Sequence, residues 1–103
     1  MVTYEITAIV DALFAAAYEE YMIGRHIPDL LATGYFASAT FSKSGDRYRI
    51  RYEAFSQESL DQYLENDAMR LRSDLEDRFP EGVQHSREFW NVIAVFPPSN
   101  ANG

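Results

Sequence analysis

The 103-residue chain has no cysteine, which excludes a disulfide framework, thiolate catalysis, iron–sulfur ligation and every zinc site that needs sulfur. Histidine is almost as scarce. His26 and His85 are the only two, and neither a His-x-x-x-His spacing nor a carboxylate cluster joins them, so neither a metal nor any other cofactor is expected. Positive charge is short as well: 9 Lys+Arg stand against 16 Asp+Glu, a formal net charge of −7. A protein that tracks phosphates needs a basic face, so no nucleic acid partner is expected. No apolar run approaches the roughly 20 residues that span a bilayer, and Met1 to Glu5 lack the basic start of a signal peptide. A cytoplasmic protein with no membrane partner is the resulting expectation, compatible with the missing cysteines. Neither a glycine-rich phosphate loop nor a nucleophile elbow is present.

What is present is an ordinary globular composition, 47% hydrophobic and 24% charged, of a length for one domain with its own core. Residues 2–10 alternate, with Tyr4, Ile6, Ala8 and Val10 on one face and Thr3, Glu5 and Thr7 on the other, the pattern of a half-buried strand. Asp11 supplies an N-cap to a helix running to about Ile27, whose apolar face carries Phe14, Ala17, Tyr18, Tyr21 and Met22. Pro28 opens a short second helix that Gly34 ends. Residues 35–42 and 47–55 read as two strands joined by Lys43-Ser44-Gly45-Asp46, which has hairpin chemistry. In the second of these, Tyr48, Ile50, Tyr52 and Ala54 share a face, and Arg47, Arg49, Arg51 and Glu53 share the other.

Ser56 is a second N-cap. The helical stripe after it is Leu60, Leu64, Ala68, Leu71, Leu75 and Phe79. A straight helix from 57 to 79 would run about 35 Å at 1.5 Å per residue, whereas strands of eight or nine residues span about 27–30 Å. A break near Asn66-Asp67 is therefore expected. Arg70/Asp74, Arg72/Glu76 and Asp74/Arg78 are four apart and should solvate its outer face. Pro80-Glu81-Gly82 stops the helix, and a long last strand is expected over 83–96. Residues 1–96 thus form a single domain, with 97–103 a flexible tail. The order β-α-β-β-α-β with right-handed crossovers implies a ferredoxin-like α+β fold, a four-stranded antiparallel sheet with its helices on one face. Its other face, polar but not uniformly charged, suits either a wet monomer or a dimer in which Glu5 and the arginines pair across two copies.

The stretch His26-Ile-Pro-Asp-Leu-Leu-Ala-Thr-Gly-Tyr-Phe36 resembles the signature of an uncharacterised bacterial family, domain of unknown function 4286 (DUF4286). There, His or Tyr precedes Ile-Pro and a Leu-Ala-Thr-Gly-x-Phe run follows. Tyr48-Arg-Ile-Arg-Tyr-Glu-Ala-Phe-Ser-Gln-Glu-Ser-Leu-Asp-Gln-Tyr-Leu64 is similar to that family's second block, Y-x-V-Q-Y-x-A-x-S-x-E-x-L-x-x-Y-L. The likeness covers about residues 3 to 95. It departs near Trp90-Asn91, where the family often has Leu-Glu. Such proteins resemble the dimeric α+β barrel superfamily, which implies a homodimer built on open sheet faces. Some members of that superfamily are cofactor-independent monooxygenases, polyketide cyclases or dehydratases with a pocket between helices and sheet; the likeness brings no catalytic set.

Two readings of function follow. In one, the chain is a homodimeric domain without catalytic apparatus, its helix–sheet space filled by side chains. In the other, that space holds a small aromatic or polyketide-like compound, and the pocket residues are His26, Tyr4, Tyr48, Tyr52 and Trp90. Several phenols converging on a cavity can bind and polarise a planar substrate, and a histidine at its mouth can act as acid or base. The plainer alternatives weigh more. Tyrosines pack a two-layer core and send hydroxyls to its edges, and His26 as a cation closes the end of the first helix. On the dimer reading, Thr3, Glu5, Thr7, Arg49 and Arg51 form the interface.

Overall fold

Alternating residues make the strands here, and capped amphipathic runs make the helices. The computed structural model describes residues 1–99. Strand β1 is Val2–Val10, β2 Phe36–Ser44, β3 Arg47–Ala54 and β4 Val83–Asn91; the helices are α1 Ala15–Tyr21, α2 Ile27–Leu31, α3 Gln57–Asn66 and α4 Ala68–Arg78. The strands form one antiparallel sheet in the order β2-β3-β1-β4, the ferredoxin-like α+β fold that the alternation implies. Tyr4, Ile6, Ala8, Val10, Tyr48, Ile50, Tyr52 and Ala54 turn toward the helices and are buried with Tyr18, Met22, Leu30, Leu60, Tyr63, Leu71 and Leu75.

The caps act where the sequence places them: Asp11 accepts from the Leu13 amide and Ser56 from the Ser59 amide, both at 3.1 Å. The break in the second helical region falls at Asp67, whose φ of −127° leaves the helical well between α3 and α4. The hairpin is tighter than expected. Only Gly45 and Asp46 make the turn, Gly45 at a φ of 61°, so pairing extends through Lys43↔Tyr48 and Ser44↔Arg47.

Three expectations are corrected. The first helix does not end at Ile27: it passes through a π-helical turn at Met22–His26 straight into α2. Pro28 lacks an amide and crowds the preceding turn, and the wider turn ahead of it accommodates that without a stop. The last strand ends at Asn91, not Phe96. There Val2 of β1 faces Asn91, and one further bond, from the Val92 amide to the Met1 carbonyl, follows the last paired residues. Finally, α4 is not laced by pairs four apart. Arg70 bonds Asp67 at 2.9 Å, and Arg72 turns inward. Of the expected tail, residues 100–103 lie outside the described residues.

Candidate functional site

The space between helices and sheet is where the sequence directs attention, and four of the five expected pocket residues face it. Tyr4, Tyr48 and Tyr52 are buried on the inner sheet face, and His26 is 5% exposed. Trp90 does not join them. It pairs with Thr3, whereas its neighbour Phe89 pairs with Tyr4, and directly opposed residues share a face. Phe89 therefore stacks on Tyr4, ring centroids 5.3 Å apart, and Trp90 points out of the open face, half exposed.

The phenols do not converge on a cavity. Tyr48 donates to Glu19, which also binds Lys43 at 2.9 Å. The Tyr18 hydroxyl meets His85 Nε2 at 3.2 Å. Tyr4 accepts from Arg72 Nη2 at 3.0 Å and from Arg87 Nε at 3.2 Å. The Tyr52 hydroxyl is buried with no partner, and desolvation pushes its pKa well above the usual phenol value. The interior gap that Tyr4, Tyr18, His26, His85 and Arg87 surround has a volume of about 10 Å³, room for about one water. Ligand cavities begin near 300 Å³.

His26 is not the cation that closes a helix. It sits mid-helix in the π turn, against Tyr21 with ring centroids 6.0 Å apart. Burial lowers its pKa to about 4, with Asp29 and Asp74 opposing that shift, so the ring is neutral at pH 7. Burial also lowers His85 to about 4, helped by the Arg87 charge and by His26.

On the open face, Thr3 is already fully buried within one chain and donates to Glu53 at 2.7 Å. Glu5 lies between Arg49 at 3.7 Å and Arg51 at 3.2 Å. Glu5 is thus paired with both arginines inside one chain. Thr7 sits opposite Arg49 and Ser86 on the same face.

Arg72, Arg87, Tyr63 and His85 are the inner residues that sequence reasoning missed. The signal was present: along β4, Val83, His85, Arg87 and Phe89 alternate on one face, and extending the alternation test to that strand marks two polar side chains pointing inward. Arg72 stands four residues after Ala68 and three before Leu75, on the flank of the apolar stripe. Among the described residues there is no group of three or more His, Asp or Glu able to hold a metal ion, and no helix is long and apolar enough to cross a membrane.

Solved structures share this fold. A protein from Deinococcus radiodurans assigned as an antibiotic biosynthesis monooxygenase is 12% identical, with a TM-score of 0.71 over 97% of this chain and 100% of its own. The ActVA-Orf6 monooxygenase of Streptomyces coelicolor, solved with nanaomycin D, is 18% identical, with a TM-score of 0.70 over 95% of this chain and 92% of that one. A dimeric ferredoxin-like protein from an uncultured marine organism is 15% identical, with a TM-score of 0.63 over 92% and 97% of the two chains. At these identities the likeness is one of fold. No curated protein matches the chain in sequence. The profile of one family does match, over residues 1–93, and the chain belongs to that family, the domain of unknown function DUF4286.

Proposed function

We propose that this domain works as a homodimer whose two open sheet faces meet, and that it is a pairing module with a filled core. One observation carries the reading. Beyond β4 the chain carries apolar residues that its own fold leaves uncovered: Ile93 is 97% exposed, Val95 81% and Phe96 88%, a few residues after the half-exposed Trp90. Large apolar side chains exposed so close together in sequence favour an interaction surface. The marine ferredoxin-like protein, which shares the fold, is itself dimeric and so supports this reading.

The face itself suits association. Register puts Arg47, Arg49 and Arg51 outward with Glu5, Glu53 and Glu88, three charges of each sign. Unmatched charges are costly to bury in an interface, while ones already neutralised by neighbours are much less so. Glu5, Thr7, Arg49 and Arg51 are the proposed interface centre, with Trp90 added to them and Thr3, already buried, left out. A cytoplasmic setting without nucleic acid fits the absence of cysteine and the net charge of −7. Sedimentation velocity at tens of micromolar tests the proposal: the expected species has twice the 11.8 kDa chain mass, and Trp90→Asp with Phe96→Asp should return it to monomer. A wild-type chain that sediments as monomer overturns it.

A further inference from the structure

The open face of the sheet has two unlike ends. At the hairpin end, β3 turns Arg47 and Arg49 outward, opposite Ile9 and Thr7 of β1, so neither has an acid as its register partner there. One outward rung further on, Arg51 opposes Glu5, and Glu5 opposes Glu88. Beyond that the outward positions turn apolar. Trp90 opposes Thr3, and Met1 and Phe55 adjoin the last pair of β1 with β3, Val2 and Ala54. Hydrogen bonding runs one step past that pair, from the Val92 amide to the Met1 carbonyl and from the Phe55 amide to the Tyr35 carbonyl. Side chains alternate along a strand, so Met1 and Phe55 fall on the outward side with Thr3 and Glu53. Their exposure agrees, at 62% and 59%. Phe55, Met1 and Trp90 thus stand at one end of three adjacent strands, β3, β1 and β4, an apolar grouping that marks a contact surface.

A two-fold axis can bring two such faces together in two orientations. If the axis crosses the strands, the ends are exchanged. Phe55, Met1 and Trp90 then meet the Arg47 and Arg49 end of the second copy, and cations are desolvated against apolar side chains, which is costly. If the axis runs along the strands, between β1 and β3, each rung meets the same rung of the second copy, with β1 over β3 and β2 over β4. Phe55 then covers Met1 of the second copy, Trp90 flanks Phe55 of the second copy, and Arg51 covers Glu5 of the second copy. On the reading that the open faces meet, we propose that the axis runs along the strands and that Met1, Phe55 and Trp90 of the two copies form the apolar heart of the interface. Large desolvated side chains carry most of the affinity of an interface, and complementary charges fix its register.

The chain has no cysteine, so introduced thiols report without interference. Ser42 and Ser86 are exposed on the same outward rung at opposite edges of the sheet, three strand spacings or about 14 Å apart in one chain. An axis along the strands sets Ser42 over Ser86 of the second copy. A short bis-maleimide matched to the about 10 Å between packed sheets should therefore link two copies of the Ser42→Cys/Ser86→Cys chain. Ser86→Cys alone should not link, because it meets its own kind only when the axis crosses the strands. In sedimentation, Phe55→Asp should weaken the dimer about a hundredfold or more, and Arg47→Gln at the hairpin end by less than about threefold. If Phe55→Asp does not fold, the cross-link decides. A monomeric wild type overturns this proposal together with the dimer reading. A wild-type dimer in which the double variant fails to link, Ser86→Cys alone links, or folded Phe55→Asp pairs undiminished overturns this proposal and leaves the dimer reading standing.

Discussion

Lowering the pH from neutral to about 5 should destabilise this protein, because burial holds both of its histidines neutral in the folded state. His26 and His85 have folded pKa values of about 4, set mainly by burial, against an ordinary value of 6.5. Between these values the unfolded chain takes up protons that the folded chain refuses. Stability is therefore complete above about pH 6.5, falls as the pH drops, and is fully lost to this effect only below about pH 4. From about pH 7.5 to about pH 5 each histidine should cost the fold about 2 kcal/mol. With a urea slope of about 2 kcal/mol/M, one histidine shifts the midpoint by about 1 M over that window. Urea titrations of wild type, His26→Asn and His26→Asn/His85→Asn at several pH values provide the assay. The single variant should lose about half of the wild-type pH dependence and the double variant nearly all of it, whatever their stability at neutral pH, because no other side chain has its ordinary range there. A His26→Asn chain that keeps the wild-type slope would refute the placement of His26 as a buried neutral ring.

Two further outcomes test the packing. Tyr52→Phe removes a buried hydroxyl without a partner, so it should raise stability by up to about 1 kcal/mol, roughly 4–8 °C in Tm for a domain of this size; a fall of that size would mean that the hydroxyl has a partner. Gly82→Ala should cost about 2 kcal/mol or more in chemical denaturation, because Gly82 has a φ of 80° and a Cβ there would run into the Phe14 ring. Gly24→Ala is the control, since a Cβ at Gly24 meets nothing.

The strand order follows from short-range information. The period-two pattern of 2–10 and 47–54, the Gly45-Asp46 turn, the Asp11 and Ser56 caps and the stripe from Leu60 to Phe79 each commit a segment locally, and right-handed crossovers leave one way to assemble them. Even the break at Asp67 is legible, because a helix longer than the strands it covers must bend. What the chain alone could not decide depends on partners distant in sequence. Where β4 stops is set by its pairing with β1, distant in sequence, so an apolar run through Phe96 reads as strand until Asn91 is found opposite Val2 as the last pair. Whether Trp90 points in or out turns on a register of one residue against Thr3. Arg72 reads as a solvated helix charge, and it becomes an interior group only because Tyr4 and Arg87 arrive beneath it from two strands. The tyrosines name the core but not its emptiness. The remaining 10 Å³ between helices and sheet is a sum over the packing of every side chain in both layers, and a volume of that kind exists only in three dimensions.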